Sequence, residues 1–376
     1  MKIIYLSSSI VPSQSANSIQ VMRMCAALAR ADNEVTLVAR RRRQCGEDVD
    51  LFSYYGVDHN FKVKTFLAPN IRYGSSLFAL TKLRCLIKAY RSNEVLIYGR
   101  DIYGVCLALH NGFRVIYETH APPGRNVARR VLEGWLLRQR RLVKCVTISK
   151  ALRAEYCRLH RAVAEKIEVH HDAADCDDQL YEKRSCDGSA ASPLQVGYVG
   201  KVLFGRGIEL IVEMANQLPD VAFHIIGGTK DDVVAYVSSV PDNLHCHGYV
   251  APAEAGRYRA MCDVLLMPYQ NKLEVTGRKV DTSRWMSPLK MFEYMASGKA
   301  IVASDIPVLR EVLDKTNSVL VHPGNVDEWV NAVTLLKDPC VRRRYADAAR
   351  SEFERKYTWD VRAKNVLRGI NVAALS

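Results

Sequence analysis

Two basic side chains bracket a glycine-flanked turn in the second half of the chain. Val196-Gly-Tyr-Val-Gly200 reads as a strand, Lys201 follows at once, and Arg206-Gly207 stands five residues on, before a helical pattern. Cations at the carboxyl end of a strand are placed to neutralise a diphosphate, because charge-assisted contacts to phosphate oxygens are short and strong. Ordinary surface charge satisfies the same residue types. Ile226-Gly227-Gly228 ends another strand-like run, where missing Cβ atoms admit a ligand or a tight turn against the backbone. The segment Ser287-Pro288-Leu289-Lys290-Met-Phe-Glu293 through Gly298 carries the most information. Ser287 suits an N-cap, Pro288 the first helical position and Gly298 the helix end. An anion fits the open amides of such a helix start, with Lys290 adding charge in the first turn. Glu293, one to two turns further in, accepts hydrogen bonds from paired sugar hydroxyls if it faces a cleft, and is a solvated helix charge if it does not.

In the first half a hydroxyl-rich loop, Ser7 to Ser18, stands where a Gly-x-Gly-x-x-Gly turn would bind a dinucleotide, so nicotinamide and flavin chemistry lose their main support. Its end, Asn17-Ser18, either offers backbone N–H groups to a polar ligand or simply caps a helix. His120 follows the strand-like run Arg114–Thr119, and an isolated histidine there is as readily structural as functional. Asp175-Cys-Asp177-Asp178 has the spacing of a divalent-metal motif, but it sits in a polar linker. His245-Cys-His247 would put two imidazoles on one strand face, with no further ligand in sight. No metal or other cofactor is expected.

These residues need a scaffold. With 376 residues, 48% of them hydrophobic and 25% charged, the chain has the size and composition of a folded protein of two domains, which excludes disorder, collagen and coiled coil. Short β-branched runs alternate with helical patterns in both halves, which calls for doubly wound α/β domains with parallel strands. The expected first domain covers 1–175, a polar linker 176–193, and a second domain 194–358, with a cleft between the domains. A final helix over 359–376 is expected to cross back onto the first domain. The eleven cysteines are odd in number and lack a Cys-x-x-Cys pair, so they read as reduced, packed thiols.

Charge is unevenly spread: 28 Lys and Arg against 15 Asp and Glu in 1–175, then 25 against 25, so the net +13 belongs to the first half. Residues 125–161 hold eleven Lys and Arg and two Glu, interleaved with Val131, Leu132, Trp135, Leu136 and Leu137. That pattern suits an anionic membrane surface, to which the run Arg40–Arg43 adds, or a helix packed on its sheet by its apolar side. No nucleic-acid-binding module is recognisable. No run approaches the roughly 18 apolar residues of a spanning helix, and the apolar start is too short for an export signal. The expected location is cytoplasmic, peripheral on the inner face of the membrane.

Gly200-Lys201-x4-Arg206-Gly207, Gly227-Gly228, Gly248-Tyr249-Val250, Met267-Pro-Tyr269, Ser287 to Glu311 and Val326-Asp-Glu-Trp-Val together resemble the donor domain of the retaining family 4 glycosyltransferases of GT-B fold. The likeness continues into the first half at Asn17-Ser18 and Tyr117-Glu-Thr-His120. It implies two Rossmann-like domains and metal-independent transfer of a sugar from a nucleotide sugar to a carbohydrate or lipid-linked saccharide in surface-polysaccharide synthesis. It further implies that Lys201 and Arg206 hold the diphosphate and Glu293 the ribose. Tyr249 and Val250 would lie near the base, Asn17 and Ser18 on the acceptor loop, and His120 near the sugar. The first glutamate of the family's Glu-x7-Glu is replaced by Trp285. A nucleotide-sugar epimerase of similar fold and a silent nucleotide-binding protein are the competing readings.

Overall fold

The strand-like runs are apolar on both faces rather than alternating, the pattern of strands covered by helices on each side of a parallel sheet. The computed structural model describes residues 1–41, 49–67, 92, 94–124, 127–176, 193–251, 254–273 and 281–370. Most of the linker, Asp177 and Asp178, Arg42 and Arg43, and residues 371–376 of the expected final helix lie outside these. By its internal contacts the chain divides into two units, Met1–Asp172 with the segment from Trp359 onward, and Ala173–Thr358.

The first unit holds a seven-stranded parallel sheet. Its strands are β1 (Lys2–Ile10), β2 (Glu34–Arg41), β3 (Lys62–Leu67), β4 (Val95–Gly99), β5 (Arg114–Thr119), β6 (Leu142–Thr147) and β7 (Ile167–Val169). Their order is β3-β2-β1-β4-β5-β6-β7. Ile3 sits between Val35 and Leu96 in register, all three buried at the centre of the sheet. The chain reverses its direction of travel across the sheet between β1 and β4, and such a switch point opens a crevice beyond the strands' carboxyl ends. Helix Ala16–Arg30 follows β1. Ser15 caps it by accepting from the Ser18 N–H, and Val21, Met24, Cys25 and Leu28, at helical spacing, turn inward.

The second unit repeats the plan with β8 (Leu194–Val199), β9 (Val221–Ile226), β10 (Leu244–Cys246), β11 (Val264–Met267), β12 (Ala300–Ser304) and β13 (Val319–Val321). All pair in parallel, in the order β10-β9-β8-β11-β12-β13. Val196, Phe223, Ile225, Leu266, Val302 and Trp329 form its core. The helix after residue 358, Trp359–Leu367, is built into the first unit, where Trp359, Arg362, Ala363 and Val366 are buried. No described helix is long and apolar enough to cross a membrane, and no described cysteine is in a disulfide.

Candidate active site

At the carboxyl ends of β8, β9 and β10 three backbone segments meet edge to edge. Gly200 N–H donates to Ile226 O at 2.8 Å, Gly227 N–H to Gly248 O at 2.7 Å, and Gly248 N–H to Gly228 O at 3.0 Å. Gly227 has φ of 111°, and a Cβ there would lie 2.6 Å from Gly200 O, so a side chain is excluded by sterics and conformation together. β10 ends at Cys246, where the chain turns to bond the glycines. Tyr249, half exposed, and Val250 lie beyond that turn.

Helix Leu289–Ala296 is fixed against this corner at several points. The fully buried Tyr294 hydroxyl accepts from Val199 N–H at 2.8 Å and donates to Val199 O at 3.3 Å. β11 pairs with β8 only at Val196 and Gly197, so this hydroxyl serves backbone groups beyond the reach of that neighbouring strand. Arg350 donates to Ala296 O at the far end of the helix, and the Phe292 ring lies 5.3 Å from that of Tyr357. The helix start corrects the sequence reading: Pro288, in extended conformation, is the N-cap and makes no side-chain cap bond. Ser287 is buried one residue earlier. Of the first-turn amides, Met291 N–H is taken by Pro288 O at 3.0 Å.

The cations are arranged differently from the expected Lys201 and Arg206 pair. Lys201 is exposed, and its carbonyl accepts from the Tyr198 hydroxyl at 2.9 Å. Arg206 lies with its guanidinium 4.7 Å from the centre of the Tyr269 ring. Lys290 Nζ lies 3.8 Å from the Tyr198 ring centre and 5.4 Å from that of Tyr269. Arg206 and Lys290 therefore share the buried Tyr269, both stacked on aromatic faces. Burial, and then the nearby Arg206, hold the Lys290 ammonium well below the usual lysine range, against the pull of Glu293. Burial likewise raises the Tyr269 phenol. Glu293 is 29% exposed and pairs with Arg259 Nη1 at 3.6 Å. Arg259, on helix Ala255–Met261, carries no local sequence signal of this role. Trp285 is partly buried in a turn, its N–H donating to Thr282 O at 3.2 Å.

In the first unit His120 belongs to a buried ionic network. Its Nε2 is 2.6 Å from Glu118 Oε1, which also accepts from Gln20 Nε2 at 2.8 Å. Oε2 of the same carboxylate accepts from the Tyr98 hydroxyl and from Arg362 Nη2, the latter at 3.1 Å. Arg362 also donates to the carbonyls of His170 and His171. Burial alone would raise the Glu118 carboxyl, but Arg362 and the bond to His120 hold it well below the usual range. Burial and Arg100 lower the His120 imidazole, and burial raises the Asp172 carboxyl. Glu118, His120 and Asp172 bring one potential metal-ligand atom each within 4.8 Å of the others. Both Glu118 oxygens already accept two donors apiece, one of them a guanidinium, so this is an ion network rather than a vacant donor set. Neither Arg362 nor Gln20 stands out in the sequence.

Asn17 is exposed in the first turn of helix Ala16–Arg30. Ser18 is fully buried, and its hydroxyl donates to the carbonyls of Ser13 and Ser15, so it ties the loop locally. A small open depression lies at the carboxyl ends of β1 to β4, lined by Ser7, Ser8, Arg40, Phe66 and Asp101 among others. Within the basic stretch, helix Val127–Arg138 buries Leu136 and Leu137 while Val127, Val131 and Trp135 stay 64%, 66% and 40% exposed. It therefore has an inner apolar side and a separate outer stripe at i, i+4 and i+8 spacing, flanked by the exposed Arg130 and Arg138. His245 and His247 both lie 5.2 Å, ring to ring, from His224, whose Nδ1 is 3.0 Å from His247 Nε2.

A family model described as Glycosyltransferase Family 4 matches residues 18–178, and one described as Glycosyl transferases group 1 matches residues 193–338. The structure of Anabaena HepE in complex with UDP superposes with a TM-score of 0.69 at 16% identity, covering 97% of this chain and 98% of that one. Phosphatidyl-myo-inositol mannosyltransferase of Mycobacterium leprae is 38% identical over 209 residues, 50% of this chain and 52% of the relative. An uncharacterized glycosyltransferase of Methanocaldococcus jannaschii is 22% identical over 246 residues, 61% of this chain and 60% of the relative. The chain thus spans about half to three fifths of the length of these curated relatives. Two parallel sheets with interleaved helices and these likenesses define the GT-B fold, and the chain belongs to the family 4 glycosyltransferases.

Proposed function

We propose that this protein transfers a sugar from a nucleotide sugar, with retention and without a divalent metal, to a lipid-linked or carbohydrate acceptor in surface-polysaccharide synthesis. The observation that carries the reading is the convergence of Arg206, Lys290 and the start of helix Leu289–Ala296 on the glycine corner of β8 and β9. Two cations at a helix N-terminus stabilise a leaving diphosphate, the charge a metal supplies in other transferases. Lys201 extends the same patch at the surface, and Glu293 takes the ribose hydroxyls. The base stacks at the Gly227–Gly228 and Tyr249–Val250 edge. In this mechanism an oxygen of the departing diphosphate takes the acceptor proton on the face where the new bond forms, and His120, oriented by Glu118, hydrogen-bonds a sugar hydroxyl presented to the first unit. The protein's share is positioning and charge stabilisation.

Two observations support the acceptor and its location. The depression with Ser7, Ser8, Arg40 and Asp101 presents hydroxyls and both charges at a switch point, the chemistry of a saccharide site. The exposed Val127, Val131 and Trp135 beside Arg130 and Arg138 suit an anionic bilayer, and one relative named above acts on phosphatidyl-myo-inositol. The test is a thermal-shift panel of UDP-, GDP-, ADP- and TDP-sugars. It is followed by transfer with the stabilising donor onto lipid-linked acceptors in excess chelator, with the product anomer read by NMR. Stabilisation by none of the donors, or activity that chelator abolishes and Mg²⁺ restores, overturns the reading.

A further inference from the structure

Lys290 stands apart from the other cations of the site. Its Nζ is buried and has no hydrogen-bond partner among the described residues. It fills the space that a side chain at Gly200 would take, since a Cβ there would lie 2.4 Å from Nζ. A lysine normally keeps its ammonium in water or in an ion pair. This one is enclosed against the ring of Tyr198, at the end of β8 and in the first turn of helix Leu289–Ala296.

The charged and titratable groups facing it come from every side. Tyr198 and the exposed Lys201 belong to β8 and the turn after it, Arg206 to the following loop, Tyr269 to the end of β11, and Glu293 to its own helix, the last already engaged by Arg259. In such a pocket a neutral amine is favoured, and the stronger of the two neighbouring charges acting on it, Arg206 over Glu293, is another cation.

We propose that Lys290 is a proton-linked positioning residue: its amine is neutral in the free protein and takes one proton from solvent when a nucleoside diphosphate docks, becoming the ammonium that neutralises the bound phosphates. The amine lone pair accepts the proton, no other bond changes, and release of the nucleotide returns the proton. Donor binding then strengthens as pH falls through the free amine's titration, by up to about tenfold per pH unit. The inference rests on the donor-site reading above, and the experiment separates the two.

The experiment is calorimetric titration of the whole chain with UDP, GDP and ADP at pH 8 in buffers of different ionisation enthalpy. At that pH the terminal phosphate, with a pKa near 6, is already ionised. The expected result is uptake of about one proton per nucleotide. Lys290→Arg should retain binding with no uptake and a flat pH profile, because guanidinium stays charged. Lys290→Met should lose both uptake and affinity, with its fold checked by circular dichroism. Binding without uptake, or uptake that persists in Lys290→Met, overturns the inference and leaves the donor site standing. Failure of all three nucleotides to bind removes the donor-site reading, and the proton linkage with it.

Discussion

Tyr294→Phe isolates the contact that holds the site helix to the glycine corner. The ring stays in a fully buried place, and only the hydroxyl that accepts from Val199 N–H at 2.8 Å and donates to Val199 O at 3.3 Å is lost. An orphaned buried N–H costs about 1–3 kcal/mol, while the longer bond to the carbonyl contributes at the low end of about 0.5–1.5 kcal/mol. The sum is about 1.5–3.5 kcal/mol. For a unit of this size each kcal/mol moves the midpoint by about 2–4 °C, so a fall on the order of 3–14 °C is expected in differential scanning calorimetry. Because the helix carries Lys290 and Glu293 while the strand end carries Gly200, loosening their tie should also weaken nucleotide binding. The assay is a titration well below the lowered midpoint. A midpoint within 2 °C of the unsubstituted protein would refute the energetic argument. A large fall with unchanged nucleotide affinity would refute the claim that this hydroxyl positions the site.

Three further outcomes follow from the same geometry. Arg206→Ala removes a charge-assisted contact to the diphosphate and should weaken nucleotide binding by about 1.5–3 kcal/mol, read by titration. Glu293→Gln should cost a similar amount with a ribonucleotide and almost nothing with its 2′,3′-dideoxy analogue; equal losses with both would detach Glu293 from the ribose. Arg362→Met strands the buried Glu118 carboxylate and should destabilise the protein by about 3–5 kcal/mol near neutral pH, read by urea unfolding. In the unsubstituted protein Glu118 is held below its unfolded pKa, so its contribution is present above that value and lost as pH falls through the folded one. In the variant burial favours the neutral acid, so the deficit should shrink toward pH 4. A deficit independent of pH would mean that Arg362 acts by packing.

The scaffold is legible in the sequence because parallel strands buried on both faces leave near-continuous apolar runs such as Val221–Ile226 and Val264–Met267, which are β9 and β11. Helix Pro339–Lys356 is not legible, since half of its eighteen residues are charged and it buries only Ala346, Ala349, Arg350 and Phe353. Around the site, glycine positions and the helix Leu289–Ala296 could be read from type and spacing. What could not be read was enclosure. Lys201 and Lys290 look alike in a string of letters, and only the packing of Tyr198 and Tyr269 puts one in water and the other under an aromatic lid. Arg362 and Arg259 are ordinary helical arginines until partners from distant strands and helices arrive, 244 residues away for Glu118.

That separation sets an order of events during synthesis. Glu118 enters the first unit early, yet the guanidinium that compensates it belongs to a helix made after the whole of the second unit. Until Arg362 emerges, the Glu118 carboxylate lacks the guanidinium that donates to its Oε2, and His120 and Arg100 are left to offset its burial. The second unit has no such dependence, since Ala173–Thr358 is contiguous. The interior of the first unit is thus completed by helix Trp359–Leu367, a segment translated after the whole of the second unit.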